Sequence, residues 1–127
     1  MARLLVVEDD ERIGRVLQSS LQATGHDVTW QRTGRSALAA AAGIAYDLTL
    51  LDLGLPDMDG IEVCRRVRGL SLDSQPRMVA LTGWGREDDR RRTREAGFDR
   101  HLVKPPELAA IHAICREIEQ RRGTVDA

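Results

Sequence analysis

A chain of 127 residues has the length of one domain and can bury a single core. Its 42% hydrophobic and 31% charged residues are ordinary for a globular protein and argue against disorder. A net charge of −1 gives no electrostatic reason to expect nucleic acid or an acidic membrane as partner. No apolar run approaches the ~18 residues of a membrane span. The opening MARLLVVEDD turns acidic too early for a secretory signal, so the cytoplasm is the expected compartment. Cys64 and Cys115 fall in predicted helices without CxxC spacing and read as reduced core thiols.

Leu4 to Val7 form a continuous apolar run, the pattern of a strand buried on both faces, and it ends in Glu8-Asp9-Asp10. The following helix carries Ile13, Val16, Leu17 and Leu21 at helical spacing, with an Asp ahead as cap and Gly25 as terminator. Asp27 to Trp30 reads as a second strand and the alanine-rich Gly34 to Gly43 as a second helix. Tyr46 to Gly60, YDLTLLDLGLPDMDG, is a buried strand delivering Asp52 into a loop forced by Gly54, Pro56 and Gly60. A helix from about Asp59 places Ile61, Cys64 and Val67 on one face, and Ser71 to Pro76 is a polar loop.

Arg77 to Leu81 is the fourth strand, with Thr82 and Gly83 at its carboxyl end. The helix from Arg86 to Ala96 has almost no large apolar residue and is expected to be the most mobile. Its arginines, Arg90 to Arg92 and Arg94, share the helix with Glu87, Asp88, Asp89 and Glu95 and read as a solvated face. Phe98 to Val103 contains the fifth strand, ending at Lys104-Pro105-Pro106. The last helix has Leu108, Ile111, Cys115 and Ile118 on one stripe, with residues 121–127 as a tail or the start of a linker.

Five alternations of strand and helix argue for a parallel sheet covered on both faces, an α/β/α sandwich with right-handed crossovers. In such sheets sites form beyond the carboxyl ends of the strands. Glu8, Asp9, Asp52, Thr82 and Lys104 all fall there. Alone, Asp52 fits a turn former or helix cap; the company of the other groups gives it a chemical reading. Three converging carboxylates need a cation or a proton, and hard oxygen ligands without thiolate or imidazole suit Mg²⁺. A lysine ammonium and a threonine hydroxyl beside them match what a phosphoryl group needs. Asp52 is then the nucleophile, and phosphoryl transfer of this kind needs positioning and charge neutralisation rather than a general base.

LLVVEDD, LLDLGLPDMDG, ALTG and HLVKP, in that order and covering almost the whole chain, resemble the response-regulator receiver domain of two-component signalling. The resemblance implies a flavodoxin-like fold with a five-stranded sheet of order 2-1-3-4-5, occupying residues 1–120. It implies that Asp52 accepts a phosphoryl group from a histidine kinase or histidine phosphotransfer protein. Asp9 and Asp52 would hold Mg²⁺ with Glu8 as companion acid, and Gly54 would offer its backbone carbonyl. Thr82 and Lys104 would bind the phosphoryl oxygens, and Pro105 would follow a cis peptide bond. GWG after Thr82 and FDRHLVKP are similar to receivers associated with hybrid histidine kinases.

The switch position, commonly Tyr or Phe in this family, is His101 here, and Trp84 is placed to gate the site. The expected activity is signalling through the surface of helix 4, strand 5 and helix 5, with at most self-catalysed phosphorylation and dephosphorylation. The expected chain is a monomer or weak dimer, stand-alone or excised from a larger protein, with an unspecified output partner. Two rival readings are a pseudo-receiver that only binds protein and a Mg²⁺-dependent phosphohydrolase; Gly54, where such an enzyme would place its second acid, speaks against the latter.

Overall fold

A computed structural model describes residues 2–83 and 87–126, with side chains outside 87–89 and 122–126. The chain alternates β1 (Arg3–Val7), α1 (Glu11–Ala23), β2 (Asp27–Gln31), α2 (Gly34–Gly43), β3 (Leu48–Asp52), α3 (Gly60–Arg68), β4 (Arg77–Thr82), α4 (Glu87–Ala96), β5 (Arg100–Val103) and α5 (Leu108–Asp126). The five strands form one sheet in the order β2-β1-β3-β4-β5, and every neighbouring pair is parallel. The expected flavodoxin-like fold is the observed one.

Successive side chains of a strand point to opposite faces, so each apolar run feeds two cores. Leu4, Val6, Leu48, Leu50, Val79 and Leu81 meet Leu17 and Leu21 of α1 and Ile111, Ile114, Cys115 and Ile118 of α5. Leu5, Val7, Leu51, Met78 and Ala80 meet Ala37 and Ala41 of α2, Ile61, Val63, Cys64 and Val67 of α3, and Ala96 of α4. Both cysteines are free and buried, and burial pushes each thiol up to about 11.

Local signals explain the boundaries. The Asp10 carboxylate accepts from the Arg12 and Ile13 N–H groups at 2.8 and 3.2 Å, capping α1, and Gly25 beyond its end takes φ +92°. Thr33 caps α2 and Asp59 caps α3. One detail departs from expectation. Val16 is 55% exposed, because the buried stripe of α1 runs through Gly14, Leu17 and Leu21 and leaves Val16 on its outer rim. The backbone of 121–126 continues α5. Among the described residues no helix is long and apolar enough to cross a membrane.

Candidate functional site

The parallel sheet brings the carboxyl ends of β1, β3, β4 and β5 to one edge. Glu8, Asp9 and Asp52 each offer a carboxylate oxygen there, and the three atoms lie within 4.8 Å of one another. Lys104 reaches across from β5. Its Nζ stands 3.0 Å from Asp52 Oδ2, 3.0 Å from Glu8 Oε1 and 2.9 Å from Glu8 Oε2. The other Asp52 oxygen, Oδ1, accepts the Gly54 N–H at 3.0 Å, and Glu8 Oε1 also accepts the Asp10 N–H at 3.1 Å.

Burial governs the electrostatics. Glu8 is fully buried, and desolvation, aided by the nearby Asp52 charge, raises its pKa to about 7 against the opposing bond from Lys104. Burial also works against the Lys104 ammonium, yet the hydrogen bonds and charges of Glu8 and Asp52 outweigh it and raise its pKa. Lys104 therefore stays charged and bridges two acids. With all three carboxylates ionised, that single ammonium leaves an excess of negative charge among hard oxygen donors. The set fits a dication such as Mg²⁺, with no thiolate or imidazole in the group.

The loop after β3 is held by its own acids. Asp57 accepts from the Gly34 and Arg35 N–H groups at 2.8 and 2.9 Å, tying the loop to the start of α2, and these bonds lower its pKa. The Asp59 carboxylate accepts from the Ile61 N–H at 2.9 Å. These contacts shape a cleft of about 340 Å³ lined by Asp52, Gly54, Asp59, Thr82, Gly83 and Arg92. Thr82 is buried at its floor, while Arg92 leans in from α4 with Nη2 3.7 Å from Asp59 Oδ2.

The model of the response regulator receiver domain matches residues 4–116. This chain belongs to that family. A relative from Bacillus subtilis, the uncharacterized transcriptional regulatory protein YkoG, is 38% identical over 121 residues, covering 95% of this chain and 52% of its own. The transcriptional regulatory protein ResD of the same organism is 40% identical over 103 residues, covering 81% of this chain and 42% of its own. The receiver domain thus spans about half the length of the curated relatives it matches. Among solved structures, the receiver domain of the sensor histidine kinase PA1611 from Pseudomonas aeruginosa is 29% identical with a TM-score of 0.83, covering 91% of this chain and 95% of that one. That structure has a magnesium ion coordinated in its active site cleft. The chemotaxis response regulator CheY4 of Vibrio cholerae is 27% identical with a TM-score of 0.85, covering 93% and 98%.

The remaining residues singled out in this receiver distribute unevenly. The Lys104–Pro105 peptide bond is cis. His101 is half-buried on β5, with Nδ1 3.5 Å from the Thr93 hydroxyl of α4, so its imidazole lies between the fourth helix and the sheet. Trp84 lies outside the described residues. Arg90, Arg91, Arg92 and Arg94 are exposed, as a solvated face requires. Three contributors escaped the sequence reading: Asp57 as the loop's anchor, Arg92 in the cleft, and Trp30. The indole N–H of Trp30 donates to the Glu8 carbonyl at 2.9 Å; an aromatic at a strand end gives no hint of that partner.

Proposed function

We propose that this receiver is a phosphoacceptor switch in which Asp52 takes a phosphoryl group from a phosphohistidine of a histidine kinase or phosphotransfer protein. The observation that carries the reading is the Lys104 ammonium joined to both Asp52 and Glu8 where three carboxylate oxygens converge. An Asp52 oxygen attacks phosphorus, the new O–P bond forms as the N–P bond to histidine breaks, and the imidazole leaves. Asp9, Asp52 and the Gly54 carbonyl would hold Mg²⁺, with Glu8 as companion acid. The bound ion would neutralise charge on the transferring phosphoryl oxygens. Lys104 supplies a second cation and Thr82 a hydroxyl donor to the oxygens of the product.

Phosphorylation then biases the surface made by α4, β5 and α5, with Thr82 and His101 as the linked switch residues and Trp84 gating the site. Moving such an equilibrium from 1:99 to 99:1 requires ~5.5 kcal/mol of differential stabilisation. New charge-assisted bonds to Thr82 and Lys104 supply part of it. The setting is cytoplasmic, as a monomer or weak dimer, with output through a protein partner rather than nucleic acid or membrane bound by this domain. Intact-mass spectrometry after incubation with acetyl phosphate and Mg²⁺ tests the reading. Wild type should gain one phosphoryl group, and Asp52→Asn should gain none. An unmodified wild type, or an equally modified Asp52→Asn, would overturn it.

A further inference from the structure

The end of β2 closes over the acidic turn that follows β1. The Glu8 N–H donates to the Gln31 carbonyl at 3.0 Å. One residue earlier in β2, Trp30 Nε1 donates to the Glu8 carbonyl at 2.9 Å. One residue beyond, Arg32 Nη2 donates to the Asp9 carbonyl at 2.9 Å. Three successive residues, the last two of β2 and the one that follows it, thus bond the backbone of Glu8 and Asp9.

Two packing features hold the donors in place. The Trp30 indole lies where a Cβ on Gly14 would stand, so only glycine at that point of α1 lets the ring approach the helix. The Arg32 guanidinium lies over the same indole, 5.9 Å from its centroid, which restrains an otherwise exposed side chain. Trp30 is half-buried, and its indole N–H bonds the main-chain carbonyl of Glu8 rather than a carboxylate. Its action on the site runs through the main chain.

We infer that Trp30 and Arg32 are positioning residues for the divalent-cation site, clamping the Glu8–Asp9 backbone so that both carboxylates face Asp52. The inference rests on the proposed Mg²⁺ reading of that cluster. Outer partners that orient metal ligands typically contribute ten- to a hundredfold in affinity. A brace acting through a carbonyl is one step further from the ion and is expected below that range, about three- to tenfold.

The sign of the Arg32 effect separates positioning from proximity. A guanidinium merely near the site repels a dication, so removing it would tighten Mg²⁺ binding. A clamp predicts the reverse. Isothermal titration of Mg²⁺ into wild type, Trp30→Phe, Arg32→Met and Arg32→Lys, each with a thermal unfolding curve without metal, provides the test. The expected result is about three- to tenfold weaker binding for Trp30→Phe and Arg32→Met, with much of the loss recovered in Arg32→Lys, which keeps one donor. The Trp30 indole N–H resonance of the wild type should shift along the same Mg²⁺ titration. Unchanged affinity in both Trp30→Phe and Arg32→Met, or tighter binding in Arg32→Met, would overturn the clamp while leaving the Mg²⁺ site standing. A wild type that shows no saturable Mg²⁺ binding would overturn the site and the clamp together. Arg32 is exposed, so its variants remain informative even if Trp30→Phe unfolds.

Discussion

Gly60 opens α3 against the end of β3, the strand that carries Asp52, and adding one methyl group there tests how tightly the site is built. A Cβ at this position would stand 2.5 Å from the Asp52 carbonyl oxygen, 2.7 Å from Leu53 Cα and 3.1 Å from the Asp52 carbonyl carbon. All three are backbone atoms, so no side chain can rotate away, and either α3 or the end of β3 must shift. Overpacking of this kind costs about 1–3 kcal/mol. For a chain of this size each kcal/mol corresponds to roughly 3–5 °C, so Gly60→Ala should lower Tm by about 3–15 °C. Gly43→Ala is the control, since a Cβ there meets nothing within 4 Å and its φ is not positive. It should be neutral or stabilising by about 0.4–1 kcal/mol. Urea unfolding followed by circular dichroism measures both. Equal stability of the two variants would refute the claim that the β3–α3 approach is set by glycine.

Three further outcomes follow from particular contacts. Arg68 donates to the Gly97 carbonyl through Nε and Nη2 at 3.0 and 2.8 Å, to the Pro76 carbonyl at 2.8 Å and to Asp99 at 3.0 Å. Arg68→Ala should cost about 2–3 kcal/mol in urea unfolding, and Arg68→Lys should recover less than half because an ammonium lacks the planar fork. His26 is nearly buried and its Nδ1 accepts the Ala2 N–H at 3.1 Å, which requires the neutral ring. Burial lowers its pKa from 6.5 despite Glu119, whose Oε1 is 3.5 Å away, while His112 also lowers it. A depressed folded pKa means that this stability is present above about pH 6.5 and is lost as pH falls through the folded value. Tm of wild type should therefore fall more steeply from pH 7 to 5 than that of His26→Asn, which keeps an acceptor without titrating; parallel curves would refute this. In α4 only Thr93 and Ala96 are buried among the residues whose side chains are described, against Ile111, Ile114, Cys115 and Ile118 in α5. Hydrogen exchange should accordingly be faster in α4 than in α5, and equal protection would show that backbone packing alone holds the fourth helix.

The legible part of this fold is the part in which one element carries its own signal. Leu48 to Leu51 and Met78 to Leu81 are apolar on both faces because each strand lies between two layers of helices, so the runs marked buried strands without any knowledge of neighbours. Glu8, Asp9, Asp52, Thr82 and Lys104 stand at or within two residues of the strands' carboxyl ends, and parallel topology carries those ends to the same edge. Val16 misled because it belongs to the apolar spacing of α1 yet falls on the rim of a narrow stripe, where one turn of angle decides burial.

What escaped the sequence needed a partner from another element. Asp57 reads as a turn acid until α2 is placed beside it, and Arg92 reads as one more charge on a solvated helix until its α4 backbone brings it to Asp59. Trp30 and Arg32 are the sharpest case. Their donors face main-chain carbonyls, which every residue possesses, so no residue type at Glu8 or Asp9 announces the bond. Side-chain chemistry names the groups that react. The groups that hold them in register are recognisable only once β1 and β2 are paired, because the pairing Val6 to Trp30 and Val7 to Gln31 is what brings the indole and the guanidinium to the carbonyls of the acidic turn.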